Sequence, residues 1–484
     1  MEKRYFKVGE LMKEFFKKIS FKEALNAVKR LLGWRFFPFI TAAILLACYY
    51  LSWDLVAVYY ACLTAVLMLL LLDDVTPIVP HFLFMNVLVS EKNSPLKLGL
   101  LSGSDFYTRT ENLAQIAVLI CLIIIAACVR IALLAKGKKI TPSLIFVSLV
   151  LLAAAFILNG VGSNGYEVNN LLYGAVLAFI MLGIYSVIVL NVKLTEKNFI
   201  NIAYGFLAFS ALLTIELAVK YATNFDKILY DGYIHKGGVV LGWGVWNNIG
   251  TFFAICIPPI CLLAAKSKYG YLFYLYAALL TVCAFLTGSR QAMLGSLFAF
   301  TASSIALTVK SRTRLVNAII FGVLAAAAII TVAVLWDKVS ETIQRLLQGI
   351  FNDEGEYLGN GRTRLFKLAL KYFNASPLFG SGFFAGFESF ELVGITDKFL
   401  PTFAHNTIGE ILGTCGLIGI ITYLFHRAST VVGFFRKPTQ NKFYIALSLL
   451  TLLIICLFDN YIFYLLPTLV YAAMLPFACG KEEA

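Results

Sequence analysis

The sequence predicts an all-α protein, a polytopic membrane helix bundle of about 12–14 transmembrane helices interrupted by one long extracytoplasmic loop with short amphipathic helices. Three observations carry that expectation. The chain has 484 residues, of which 60% are hydrophobic, and its mean hydropathy is +0.82, whereas a soluble domain is roughly half apolar. Apolar runs long enough to cross a bilayer, roughly 20 residues each, recur from Trp34 to Ala478. Lys and Arg cluster in alternate short connections, as the positive-inside rule demands. The formal net charge of +13 lies mostly there and in the N-terminal tail. Topology therefore explains the charge, and nucleic-acid binding is rejected.

The order of elements follows. Residues 1–33 form a basic segment (Lys13, Lys17, Lys18, Lys22, Lys29, Arg30) with scattered apolar positions. It reads as an amphipathic helix on anionic cytoplasmic lipid, not as a signal peptide. A transmembrane bundle occupies 34–336, an extracytoplasmic loop 337–404, and the C-terminal transmembrane helices 405–484. The expected spans are Trp34–Trp53, Asp54–Leu72, Val75–Ser90, Ala114–Ala135, Thr141–Leu158, Leu171–Leu190, Phe199–Leu217, Ile249–Ala265, Gly270–Thr287, Gln291–Val309, Leu315–Trp336, His405–Leu424, Phe443–Phe458 and Tyr461–Ala478. The third is short and carries Pro77 and Pro80, which suits a re-entrant segment as well as a span. Omitting it would put the later basic connections (Lys136–Lys139, Asn191–Asn198, Lys266–Tyr269, Lys310–Arg314 and His426–Lys442) outside, so it is kept. Both termini are then cytoplasmic.

Four segments face outside: Glu91–Leu113, Lys220–Asn248, the Gly288-Ser289-Arg290 turn, and Asp337–Ala404. In the last, Val339, Ile343, Leu346, Leu347 and Ile350 recur at helical spacing. A second helix is expected over Arg362–Phe373, stopped by Pro377, with Gly380, Gly382 and Gly386 marking an irregular loop. The ten cysteines lie almost all inside apolar runs without a CxxC pattern, so they read as small core residues and not as disulfides or a zinc site.

Candidate chemistry gathers at the outer face. Arg290 sits in a turn so short that its charge lies near the membrane plane, where an anion should meet it: a carboxylate, a lipid headgroup or a phosphate. Arg362 opens the 362–373 helix, and Arg364, Lys367 and Lys371 share a face that reads equally as a solvated or headgroup-facing surface. His405 begins an apolar helix whose positive dipole end favours neutral imidazole, the form a general base needs. It also reads as a plain interfacial cap. Asn406 suits a hydroxyl contact or a helix cap, and Asn248 a sugar contact or a cap. Glu410, one turn into the span, suits a site acid or a paired structural carboxylate, and Glu216 the latter. Gly409, Gly413, Gly416 and Gly419 read as a close-packing stripe that makes this helix a rigid mount. The acidic cluster Asp353, Glu354 and Glu356 reads as solvated loop, and no metal site is expected. No Walker, GxSxG or HExxH motif is present.

The run His405-Asn406, nine residues, Gly416, Gly419, Thr422 resembles the signature of the O-antigen ligase and polymerase superfamily. NGRTRLFKLALKYFNASPLFGSGF resembles its arginine-led helix ending in a Pro-Leu-x-Gly-x-Gly turn, and TGSRQAML its upstream Ser-Arg turn. The resemblance implies a membrane-embedded glycosyltransferase of the O-antigen ligase/polymerase type, inverting and metal-independent, with no cofactor. The donor would be a glycan on undecaprenyl diphosphate at the outer leaflet of the cytoplasmic (inner) membrane, in surface polysaccharide assembly. Arg290 and Arg362 would hold the donor diphosphate, with Arg364 as a further cation, and His405 would act as base on an acceptor hydroxyl. Lipid or wall acceptors make a ligase; a second lipid-linked glycan makes a polymerase. The non-enzymatic rival, a transporter or flippase of lipid-linked glycan, should place ionisable groups near mid-membrane on broken helices. The partners expected are donor, acceptor and membrane lipids.

Overall fold

The computed structural model describes residues 21–89, 106, 109–134, 143–164, 166–230, 233–334, 336, 362–384 and 404–482. Within them the chain is almost wholly helical. Helix α1 (Phe21–Leu32) meets α2 (Phe37–Leu51) at a bend of 85°. Lys22 and Arg30 are exposed on α1. That crossing is what a surface-lying helix joined to a span requires. The rest are α3 (Asp54–Leu71), α4 (Ile78–Phe84), α5 (Thr110–Val129), α6 (Leu144–Ile157), α7 (Val168–Phe179), α8 (Glu196–Ile228), α9 (Trp246–Lys266), α10 (Gly270–Leu286), α11 (Arg290–Lys310), α12 (Arg314–Val334), α13 (Arg362–Ala375), α14 (Thr407–Phe435), α15 (Gln440–Ile455) and α16 (Leu465–Cys479). Beyond α7 a π turn continues the helix to Asn191. Two small antiparallel hairpins, of two-residue strands, join α8 to α9.

Among the described residues, seven helices are long and apolar enough to cross a membrane, or eight with the bent α1–α2 pair, and six shorter apolar helices accompany them. The chain is a multi-pass membrane protein. The third expected span is a stub: α4 and the turn after it cover Ile78–Val87 and are buried throughout. Phe84 packs edge-on against Phe209 of α8 at 5.4 Å. The expected helix over Val339–Ile350 and the Asp353, Glu354 and Glu356 cluster lie outside the described residues.

Helix α9 is the axis of the bundle. Every residue from Ile249 to Ala265 is buried, as a helix apolar all round should be. Its Pro259 has no N–H to give the Ile255 carbonyl. Ser448 of α15 donates to that carbonyl at 2.6 Å instead. The basic connections gather at one end of the bundle. There Lys266 pairs with Glu196 at 3.0 Å, and Gln440 donates to the Lys310 carbonyl at 2.8 Å. The N-termini of α9, α11 and α14 lie at the opposite end.

Helix α14 is not continuous. It breaks at Gly416, with φ 63° and ψ −154°, a conformation open only to glycine. The Pro377–Gly382 turn fills the break with its own backbone. Leu417 and Ile418 amides donate to the Pro377 and Leu378 carbonyls at 2.8 and 3.2 Å, and Ser381 and Gly382 amides donate to the Gly413 and Thr414 carbonyls at 2.8 and 3.0 Å. From the other side, the buried Asn159 and Asn170 accept from the Phe383 and Phe384 amides at 3.0 and 2.9 Å. This corrects the expectation of a uniform packing stripe. Gly409 does face a neighbouring helix, since a Cβ there would meet the Phe366 ring at 3.0 Å. Gly416 instead admits a second strand of backbone. Phe366 beside Gly409 and Pro377 beside Leu417 make α13 run parallel to the first half of α14. Arg362, one turn before Phe366, therefore starts α13 level with the start of α14.

Candidate active site

Asn406 caps α14 by accepting from the Gly409 amide at 2.9 Å, and its own amide donates to the Leu457 carbonyl at 2.7 Å. The Thr407 amide donates to the Cys456 carbonyl at 3.1 Å, and its hydroxyl to the Asp459 carbonyl at 3.3 Å. These bonds sew the start of α14 to the joint between α15 and α16. His405 sits just before the cap at φ 45°, a left-handed conformation that costs about 1–3 kcal/mol in a non-glycine residue and gathers at functional sites.

The joint supplies a carboxylate. Asp459 Oδ1 lies 3.5 Å from His405 Nδ1, with the imidazole side chain 36% exposed and the carboxylate only 6%. Asp459 also accepts from the Asn460 amide at 2.8 Å and from Gln291 Nε2 at 2.9 Å. Burial pushes its carboxyl pKa upward. The hydrogen bond and charge of His405, with the donors Gln291 and Asn460, outweigh that and hold it below the ordinary carboxylate value.

Gln291 is the second residue of α11, immediately after the exposed Arg290. Its Nε2 also lies 3.5 Å from the Tyr461 hydroxyl, which donates to Asn248 Oδ1 at 3.0 Å. Next to Asn248, Asn247 accepts from Ser289 at 2.8 Å. One network thus ties the ends of α9, α11 and α14 to the α15–α16 joint. Glu410 is buried, and its Oε2 accepts from the Ala404 amide at 2.7 Å and Asn460 Nδ2 at 3.1 Å. It braces the chain on both sides of the His405–Asp459 pair.

The structure therefore gathers Asn248, Arg290, His405, Asn406 and Glu410 at one end of the bundle. Arg362 starts its helix at the same level, and the side chains of Arg362 and Arg364 lie outside the described residues. Glu216 accepts from Trp243 Nε1 at 2.8 Å. Sequence reasoning missed Asp459 and Gln291. The signal was available: Asp459 occupies a two-residue joint between apolar runs on the side opposite the basic connections. Chemically, an imidazole held through Nδ1 by a buried carboxylate presents Nε2 as its basic atom. The α11 N-terminus with Arg290 offers positive potential to an anion.

Residues 275–424 match the family model described as O-antigen ligase. That segment is similar to the O-antigen ligase and polymerase superfamily. The O-antigen ligase match runs from α10 to the middle of α14 and includes Arg290, Gln291, Arg362, Arg364, His405, Asn406 and Glu410. It omits Asn248 and Asp459, so the ligase-type segment is completed by residues on both sides of it. No curated protein matches the chain.

Proposed function

We propose that the protein is an inverting glycosyltransferase that moves a glycan from undecaprenyl diphosphate to an acceptor hydroxyl on the outer side of the cytoplasmic membrane. The observation that carries this reading is the His405–Asp459 contact, one hydrogen bond from the residue that follows Arg290. His405 takes the proton of the acceptor hydroxyl as that oxygen attacks the anomeric carbon, and Asp459 stabilises the imidazolium formed. The diphosphate leaves from the opposite face of the sugar, which inverts the anomeric centre. Arg290 and Arg362, with Arg364, meet the charge that develops on it, so the reaction needs no metal. Asn248 and Asn406 line the sugar side. The basic connections at the far end support a cytoplasmic position for that end and an outer one for the site.

The test is transfer in detergent from a lipid-diphosphate glycan to acceptor, with a chelator present. His405→Ala should lower the rate by roughly 10²–10⁴-fold. Arg290→Ala and Arg362→Ala should each lower it by about 10²-fold or more. Wild-type rates in these variants would remove the assignment. Product length separates the acceptors: one transfer per acceptor marks a ligase, a ladder of lengthening lipid-linked chains a polymerase.

A further inference from the structure

Gln291 has no counterpart in the reaction just described, yet it is the residue through which the two halves of the site touch. It is buried, and it sits one peptide bond from Arg290. Its Nε2 donates to Asp459 Oδ2 at 2.9 Å, while Asp459 Oδ1 faces His405. Only the amide nitrogen can satisfy a carboxylate, so the anion fixes which way this amide points. The second Nε2 proton faces the Tyr461 hydroxyl, which in turn is spent on Asn248. The amide thus joins α11 to the α15–α16 joint, and through Asp459 and Tyr461 to the starts of α14 and α9.

We infer that Gln291 is a positioning residue that couples the arginine turn to the base: it fixes the distance between Arg290 and the His405–Asp459 pair and limits how tightly Asp459 holds the protonated imidazole. This deepens the proposed transferase reading and rests on it. The groups around the pair are Gln291 from α11, with Arg290 the residue before it, Glu410 from α14, and Cys456, Asn460 and Tyr461 from the joint, with Asn248 of α9 behind Tyr461. Among these Gln291 is the side chain that donates to Asp459 from another helix. A donor on one oxygen draws charge from the carboxylate, so less is left for the imidazolium on the other. Without it the imidazolium is held more firmly and gives up its proton at higher pH.

The experiment measures transfer from lipid-diphosphate glycan across pH for wild type, Gln291→Met, Gln291→Glu and His405→Ala. Gln291→Met keeps length and loses the donor. It should lower kcat about 10-fold or more, leave donor KM within about 3-fold, and move the acidic limb of the rate profile to higher pH. Gln291→Glu sets a second carboxylate against Asp459, so its loss at neutral pH should be greater and partly recovered at acid pH, where the introduced carboxyl is protonated and donates again. In an Asp459→Ala background, Gln291→Met should have almost no further effect on kcat. Wild-type kcat and limb in Gln291→Met would overturn the inference. So would a loss that follows thermal stability alone with the limb unmoved. Should His405→Ala itself retain full transfer, the transferase reading fails, an outcome distinct from failure of the Gln291 arms alone.

Discussion

Asp459 shows how much one residue can do from a position that looks like punctuation. It lies between two apolar runs, and its partner His405 is far away in sequence, so no local spacing could join them. His405 and Arg290 were legible because each breaks a local rule: an imidazole opening an apolar helix, and a cation in an outer turn. Asp459 breaks none. Its folded carboxyl lies below its ordinary value, so its contribution to stability is fully present above about pH 4 and is lost as pH falls through the depressed folded value. Asp459→Asn keeps the volume and removes the charge. Transfer should fall about 10²-fold. The melting temperature gap between wild type and Asp459→Asn should close as pH falls below about 4. A gap that persists undiminished at pH 3 would show that ionised Asp459 is not what stabilises the fold.

At the scale of elements, the helices were read well because a span is a matter of composition and length. Expected Gly270–Thr287 and observed Gly270–Leu286 differ by one residue. The break in α14 was not legible. Glycines at three- and four-residue spacing fit a packed helix face, and nothing in that spacing shows that Gly416 alone takes positive φ. The backbone that fills the break comes from Pro377–Gly382, another contact distant in sequence. The local Pro-Leu-x-Gly-x-Gly pattern revealed a turn but not what the turn grips. Gly416→Ala would place a Cβ 2.6 Å from the Pro377 and Leu378 carbonyls, in a conformation that alanine avoids. It should cost about 3 kcal/mol or more, seen as a lower melting temperature in detergent. Gly322→Ala, where a Cβ meets nothing within 4 Å and the backbone is helical, should leave it unchanged or slightly raised. Equal behaviour of the two variants would refute the interlock.

For the whole molecule, the two ends carry different side chains. One collects Lys193, Lys266, Lys268, Lys310 and Arg314; the other collects His405, Asp459 and Arg290. In a cysteine-free background, Lys227→Cys at the far end of α8 should react with a membrane-impermeant thiol reagent added to intact cells. Lys268→Cys and Lys437→Cys should react only after lysis. The reverse pattern would turn the site to the cytoplasm and end the outer-leaflet proposal. The grip of residues 377–382 on α14 also imposes an order of assembly. The ribosome delivers α13 and its turn before Gly413–Ile418 exist. Until then the Ser381 and Gly382 amides and the Pro377 and Leu378 carbonyls lack their partners, and in hydrocarbon each such group costs several kcal/mol. A nascent chain stopped before residue 405 should therefore leave the Pro377–Gly382 backbone without its partners on α14 and α13 undocked.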